Sequence, residues 1–152
     1  MWDESQNDKL LNIGQNQKMN KQISIVVIAT RSIPLADGLE ALLKAIPQIE
    51  IVEIVRTMEH VVQRIEDIKP RILLLDLALA GKTPEALLER ILLFSPETLR
   101  VLLVDDVQDI KWQPQFAEAV LIKGVSPSAV AAILTNLLFV KGDGNEKIQS
   151  QE

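Results

Sequence analysis

Residues 71–77 of the chain read RILLLDL, in which four consecutive aliphatic residues lead to a single acid, Asp76. A short run that is apolar at every position is typical of a strand buried on both faces of a parallel sheet. Four other short runs share this character, at residues 23–29 (ISIVVIA), 49–55 (IEIVEIV), 99–104 (LRVLLV) and 119–122 (AVLI). The run at 49–55 mixes acidic with β-branched residues, which predicts an edge strand. We therefore expect a sheet of five strands.

Stretches with helical periodicity and helix start signals separate the predicted strands. Ser32 and Thr57 precede two of these stretches, whereas Thr83 and Ser126 each stand directly before a proline. Hydroxyl side chains cap helix N-termini, and proline is well tolerated at the first helical position. Strands that alternate with helices imply right-handed crossovers and a parallel sheet. We therefore predict a doubly wound α/β fold with the flavodoxin-like strand order 2-1-3-4-5.

The composition fits one cytoplasmic domain and argues against several classes of protein. The 152 residues include no cysteine, which excludes a disulfide framework and thiol chemistry. The net charge is −5 and no cluster of basic residues occurs, which disfavours nucleic-acid binding. No apolar run is long enough for a secretory signal or a membrane span. We predict flexible polar tails at residues 1–20 and 141–152, with the domain at residues 21–140.

Polar side chains stand where the predicted strands end. Thr30 and Arg31 follow the first strand, Asp76 closes the third, Asp105 follows the fourth and Lys123 follows the fifth. Each of them alone has an ordinary interpretation as a solvated loop residue. Ligands of open α/β sheets bind beyond the carboxyl ends of the strands, so these five side chains are the candidate site.

Residues 22–140 resemble a response-regulator receiver domain, of the type found ahead of helix-turn-helix output domains. Three segments carry the resemblance: 36–55 (ADGLEALLKAIPQIEIVEIV), 69–88 (KPRILLLDLALAGKTPEALL) and 119–134 (AVLIKGVSPSAVAAIL). The resemblance implies that Asp76 accepts a phosphoryl group from a histidine kinase in a two-component phosphorelay. It also implies that Lys123 pairs with that phosphoryl group.

The chain departs from the receiver pattern at several positions. Thr30 and Arg31 stand where the family carries two adjacent acids that hold Mg²⁺. Asp105 replaces the hydroxyl residue that ends the fourth strand, and Val120 replaces an aromatic residue on the fifth. The interval between the fourth and fifth strands is shorter than usual and contains Pro114, which predicts a shortened fourth helix. The parts that bind metal and transmit phosphorylation are therefore incomplete.

These departures change the charge of the predicted pocket. Asp76 and Asp105 would face Arg31 and Lys123, so the formal charges sum to zero without a metal. A cation in place of metal-binding acids repels Mg²⁺. We therefore expect weak or absent Mg²⁺ binding, no other cofactor, and a salt bridge from Arg31 or Lys123 to Asp76 or Asp105. Phosphorylation of Asp76 is then impaired, and the receiver is degenerate.

The sequence is compatible with three functions. The first is a phosphorelay receiver in which Asp76 is still modified, and the second is a pseudo-receiver that binds a partner without phosphorylation. The third, a small flavodoxin-like enzyme or nucleotide binder, is disfavoured because no glycine-rich phosphate loop is present. No Ser-His-Asp arrangement exists either, and the single histidine, His60, is expected at the surface. We do not expect an enzyme.

The expected partners are proteins. The resemblance implies a histidine kinase or another signalling protein, and we expect no nucleic acid or membrane as a partner of this domain. The last predicted helix is unusually apolar, and one stripe is sufficient to dock it on the sheet. Ala132, Phe139 and Val140 are then left as a second apolar surface, which predicts a homodimer through this helix.

Overall fold

The computed structural model describes residues 24–106 and 117–143, with side chains described as far as residue 139. The predicted shortened fourth helix and most of both predicted tails lie outside these residues. The strands and helices are β1 Ile25–Ala29, α1 Ile33–Lys44, β2 Ile51–Val55, α2 Met58–Ile68, β3 Ile72–Asp76, α3 Leu77–Ala80, α4 Pro84–Phe94, β4 Leu99–Val104, β5 Ala119–Ile122 and α5 Pro127–Asp143. None of the described helices is long and apolar enough to cross a membrane.

The five strands form one parallel sheet in the order β2-β1-β3-β4-β5, which confirms the predicted topology. β2 lies at an edge, as its acid-containing sequence predicts. Ala29 at the end of β1 pairs with Val55 and Leu75, and Val104 at the end of β4 pairs with Ile122. The residues that follow these strands therefore emerge at one edge of the sheet.

The apolar core lies on both faces of the sheet and is centred on β3, whose five residues are all buried. Ile72 and Leu74 pack in the cluster beneath α1 and α5. Leu73 and Leu75 pack in the cluster beneath α2 and α4. Successive side chains of a strand point to opposite faces, so a strand covered on both sides is apolar at every position.

Hydroxyl caps begin three of the helices as predicted. Ser32, Thr57 and Ser126 each accept a hydrogen bond of 3.2 Å from the backbone N–H three residues further along the chain. Thr83 occupies the same position before α4, but its side chain caps nothing. The prediction of a capped start was wrong for this helix, which begins instead with Pro84 at its first position.

Several predicted boundaries were wrong, since β1 and β2 begin two residues later than predicted and two further differences lie at the end of β3 and of α5. The run at 71–77 ends as a strand at Asp76, because Leu77–Ala80 turn into the short helix α3. The Asp76 carboxylate caps that turn by accepting the backbone N–H of Ala78 at 3.0 Å. At the other end of the chain, α5 continues to Asp143, three residues into the predicted C-terminal tail.

Candidate functional site

Asp76 lies at the carboxyl end of the central strand, with only 4% of its surface exposed. The four residues before it, Ile72 to Leu75, have no exposed surface at all. A buried carboxylate is costly unless its oxygens are hydrogen-bonded. The capping bond from Ala78 provides one such partner for Oδ1, and the side chains that follow β1 and β5 provide the rest.

Thr30 holds the second carboxylate oxygen of Asp76. It follows β1 directly, is fully buried, and donates its hydroxyl proton from Oγ1 to Asp76 Oδ2 at 2.6 Å. The same Oγ1 accepts the backbone N–H of Ser32 at 3.1 Å, just before α1 begins. The backbone N–H of Thr30 also bonds to the carbonyl of Val55 on β2. Because both its backbone and its side chain are hydrogen-bonded, the Thr30 hydroxyl is held in place against the Asp76 carboxylate.

Lys123 supplies the counter-charge from the end of β5. Its backbone N–H bonds to the Val104 carbonyl at 2.8 Å, which extends the strand pairing by one residue. Its Nζ lies 2.7 Å from Asp76 Oδ1 and 3.4 Å from Asp105 Oδ1. Gly124 follows with a φ of 96°, a left-handed conformation that glycine adopts without steric cost. The predicted salt bridge to Asp76 is therefore confirmed for Lys123.

The pKa shifts show that Asp76 and Lys123 are an ionised pair. Burial by itself raises the pKa of Asp76, but hydrogen bonds from Lys123, Thr30 and the Ala78 N–H outweigh it and lower that pKa below its ordinary value. Burial disfavours the charged form of Lys123 too, yet the hydrogen bond and charge of Asp76, helped by Asp105, raise the pKa of Lys123. Both groups are charged at neutral pH.

Arg31 does not belong to this cluster, and its predicted place in the pocket was wrong. Its side chain is exposed, and it lines a different cleft together with residues of α2 and α4. Thr30 occupies the inward position beside Asp76, and the next side chain along an extended chain points elsewhere. The charges of Asp76, Asp105 and Lys123 therefore sum to −1 rather than to the expected zero.

A second cleft, of about 360 Å³, opens beside the cluster between α3, the start of α4 and the end of β4. Its charged lining residues are Lys82, Glu85, Asp105 and Lys123, two of each sign. Lys123 both lines this cleft and bonds to Asp76. Asp105 lies at the rim, since its side chain is 74% exposed.

The donors at this edge of the sheet do not fit the Mg²⁺ that the receiver resemblance implies. Mg²⁺ requires oxygen ligands in near-octahedral geometry. Both oxygens of Asp76 already accept hydrogen bonds, and the ammonium of Lys123 lies within 3.4 Å of both carboxylates. No group of three or more His, Cys, Asp or Glu side chains that could hold a metal occurs within residues 24–106 and 117–143.

The sequence interpretation missed two polar contacts. The first is the hydrogen bond from Thr30 to Asp76: Thr30 was predicted to lie in the site, but only Arg31 and Lys123 were considered as partners of a carboxylate. The second is the ion pair of Arg100 and Glu118 at 2.8 Å, in which Arg100 on β4 is 96% buried. A lone arginine in the apolar run 99–104 was the available signal for it. His60 is exposed, as predicted.

The fold matches solved receiver domains, although no family model and no curated protein matches the sequence. A signal receiver domain from Vibrio parahaemolyticus is similar at a TM-score of 0.67 and 23% identity, over 77% of this chain and 91% of that one. A response regulator receiver domain protein from Methanospirillum hungatei gives 0.67 and 20%, over 81% and 100%. The response regulator RcsB, in a DNA complex, gives 0.62 and 17%, over 76% and 60%.

This chain therefore has the CheY-like fold of response-regulator receiver domains. The neighbours share too few identical residues with this chain for their chemistry to be assigned to it.

Proposed function

We propose that this chain is a receiver-type module of two-component signalling whose phosphorylation at Asp76 is impaired. Its partner is a histidine kinase or another signalling protein, which it meets in the cytoplasm. The observation that carries the proposal is that Thr30, Lys123 and the Ala78 N–H occupy both oxygens of the Asp76 carboxylate.

The occupied carboxylate disfavours phosphoryl transfer for two reasons. A carboxylate oxygen that attacks phosphorus gives up its negative charge, so an attack through Oδ2 weakens the buried hydrogen bond that this oxygen accepts from Thr30. An incoming phosphate also carries negative charge, which metal ions normally neutralise. The cluster offers only Lys123 for this purpose, and Asp105 beside it adds repulsion.

Treatment with a small acyl phosphate and Mg²⁺, followed by intact-mass measurement, tests this proposal. We expect little or no phosphorylated wild-type protein. The matched variant Thr30→Asp/Arg31→Asp restores two acids after β1, and we expect it to gain phosphorylation that the further change Asp76→Asn abolishes. Rapid, stoichiometric phosphorylation of the wild type at Asp76 would overturn the proposal of impairment and leave an ordinary receiver.

A second candidate function, a phosphorylation-independent interaction or dimerisation module, is favoured by the outer face of α5. Residues at helical spacing along this face are exposed and uncharged, namely Ala129, Ala132, Asn136 and Phe139. Phe139 is 58% exposed. Two apolar residues shortly before α5 are also exposed, Ile122 at 38% and Val125 at 37%. Exposed apolar surface of this kind is typical of a protein-binding site.

Light scattering tests the dimer. We expect Phe139→Asp to shift the protein towards monomer without changing its circular dichroism, because Phe139 contributes little to the core. Leu93→Asp, at an exposed apolar residue of α4, is the control that adds the same negative charge elsewhere. A wild type that remains monomeric at high micromolar concentration would exclude the homodimer and leave a foreign partner for this face.

A further inference from the structure

The cleft that Arg31 lines has a volume of about 670 Å³. It lies between the loop after β1, the start of α2 and the first two turns of α4. Arg31 and Arg90 line it from two different elements, with Glu59 as the one acidic residue. No ion pair to another described side chain neutralises either arginine. The cleft therefore carries a net positive charge on a protein whose total charge is −5.

The floor of this cleft is apolar. Met58 and Val62 contribute from α2, and Leu87 contributes from α4. Arg90 stacks over the ring of Phe94 at 5.5 Å from its centroid, an arrangement that orients the guanidinium and leaves its N–H edge available. Such a cleft suits a segment that combines carboxylates with apolar side chains.

The beginning of this chain has that composition. Asp3 and Glu4 follow Trp2 directly, and a further acid, Asp8, precedes the apolar pair Leu10–Leu11. The two adjacent acids match the two arginines, and the tryptophan and leucines match the apolar floor. These residues lie outside the described part of the chain, so their amino-acid sequence is compared with the residues that line the cleft.

The connecting chain is long enough for this contact. The described fold begins at Ser24, and the 20 residues from Glu4 to Ser24 span at most about 66 Å when extended. The cleft lies at the opposite end of β1, and a strand of five residues is about 17 Å long. The distance is therefore well within reach.

We propose that residues 2–13 dock in this cleft, with Asp3 and Glu4 paired to Arg31 and Arg90 and the apolar side chains over Met58, Val62 and Leu87. The docked segment covers the groove between α2 and α4, and it competes with any acidic partner of that groove. This inference does not depend on whether Asp76 is phosphorylated.

The absence of cysteine makes disulfide trapping in the full chain a clean test. Ser5→Cys is combined with Ala86→Cys, which lies exposed in the cleft, and in a control with Ala41→Cys, which lies exposed on α1. We expect the pair at 5 and 86 to form an intramolecular disulfide at least several times faster than the control pair, at a rate independent of protein concentration.

Reversing the charges of the two arginines, and then exchanging the charges between the two sides, tests the proposed ion pairs. Arg31→Glu/Arg90→Glu in the 5–86 background should slow the trapping roughly threefold or more, and adding Asp3→Arg/Glu4→Arg should restore it. Restoration by the exchanged charges cannot result from misfolding. Equal trapping rates at positions 86 and 41, or a rate that charge reversal leaves unchanged, would overturn the proposal.

Discussion

Thr30 and Arg31 are adjacent in the chain, yet one side chain lies in the interior and the other lies in solvent. Thr30 is fully buried and bonds to Asp76, whereas Arg31 is exposed in an open cleft 670 Å³ in volume. A neutral hydroxyl satisfies a buried carboxylate without adding a charge that must itself be desolvated. A guanidinium in that position would need further partners, and it stays in water instead. Burial and chain direction, rather than charge alone, therefore select the partner of Asp76.

The largest effect should come from removing the counter-charge of the buried cluster. Lys123→Ala leaves the Asp76 carboxylate without its ion pair, and we expect a loss of about 2–3 kcal/mol in the free energy of unfolding, measured in urea. Lys44→Ala is the control, because its pair with Glu40 at 3.1 Å is largely exposed and should cost well under about 1 kcal/mol. Equal losses in the two variants would contradict the buried pair.

A smaller loss is expected when only the hydroxyl is removed. Thr30→Val keeps the shape of the side chain but leaves Asp76 Oδ2 and the Ser32 N–H without partners, so we expect destabilisation of about 1–2 kcal/mol in the same urea titration. Thr30→Ser retains the hydroxyl and should recover most of that stability. If valine and serine were equally tolerated, the hydrogen bond would not stabilise the fold.

The ionised pair also predicts that the free energy of unfolding depends on pH. The pKa of Asp76 is lowered in the folded state, so its contribution is present above an unfolded pKa near 3.9 and is lost as the pH falls through the folded value. The pKa of Lys123 is raised, so its contribution is present below about pH 10.4 and is lost as the pH rises through the folded value.

Wild type and Asp76→Asn should therefore differ most in unfolding free energy across the neutral range. The difference should narrow at both extremes of pH, which urea titrations at each pH can follow. A constant difference would indicate that Asp76 contributes to stability without its charge.

The smallest effect on stability is expected at Arg31. Arg31→Gln removes a charge from an exposed side chain, and we expect the free energy of unfolding to change by less than about 0.5 kcal/mol. A loss as large as that of Thr30→Val would place Arg31 in the structural core of the site, contrary to its exposure.

The architecture could be predicted from the pattern of apolar and polar residues along the chain. Uninterrupted aliphatic runs such as 71–77 identify strands buried on both faces, and hydroxyl and proline signals identify where most helices begin. The positions of Asp76 and Lys123 at one edge of the sheet follow from this topology, because parallel strands bring their carboxyl ends together. Their ion pair was therefore predictable.

Which neighbours complete the site depends on contacts that form only when the chain folds. The end of β3 depends on the Asp76 carboxylate turning back to cap α3, a contact that periodicity does not reveal. The choice of Thr30 over Arg31 depends on which of two adjacent side chains faces the interior. Arg31 and Arg90, 59 positions apart in the chain, share a cleft only because α4 packs beside the loop after β1. Hydrophobic pattern specifies which residues are buried, whereas the direction of each polar side chain depends on groups brought close by folding.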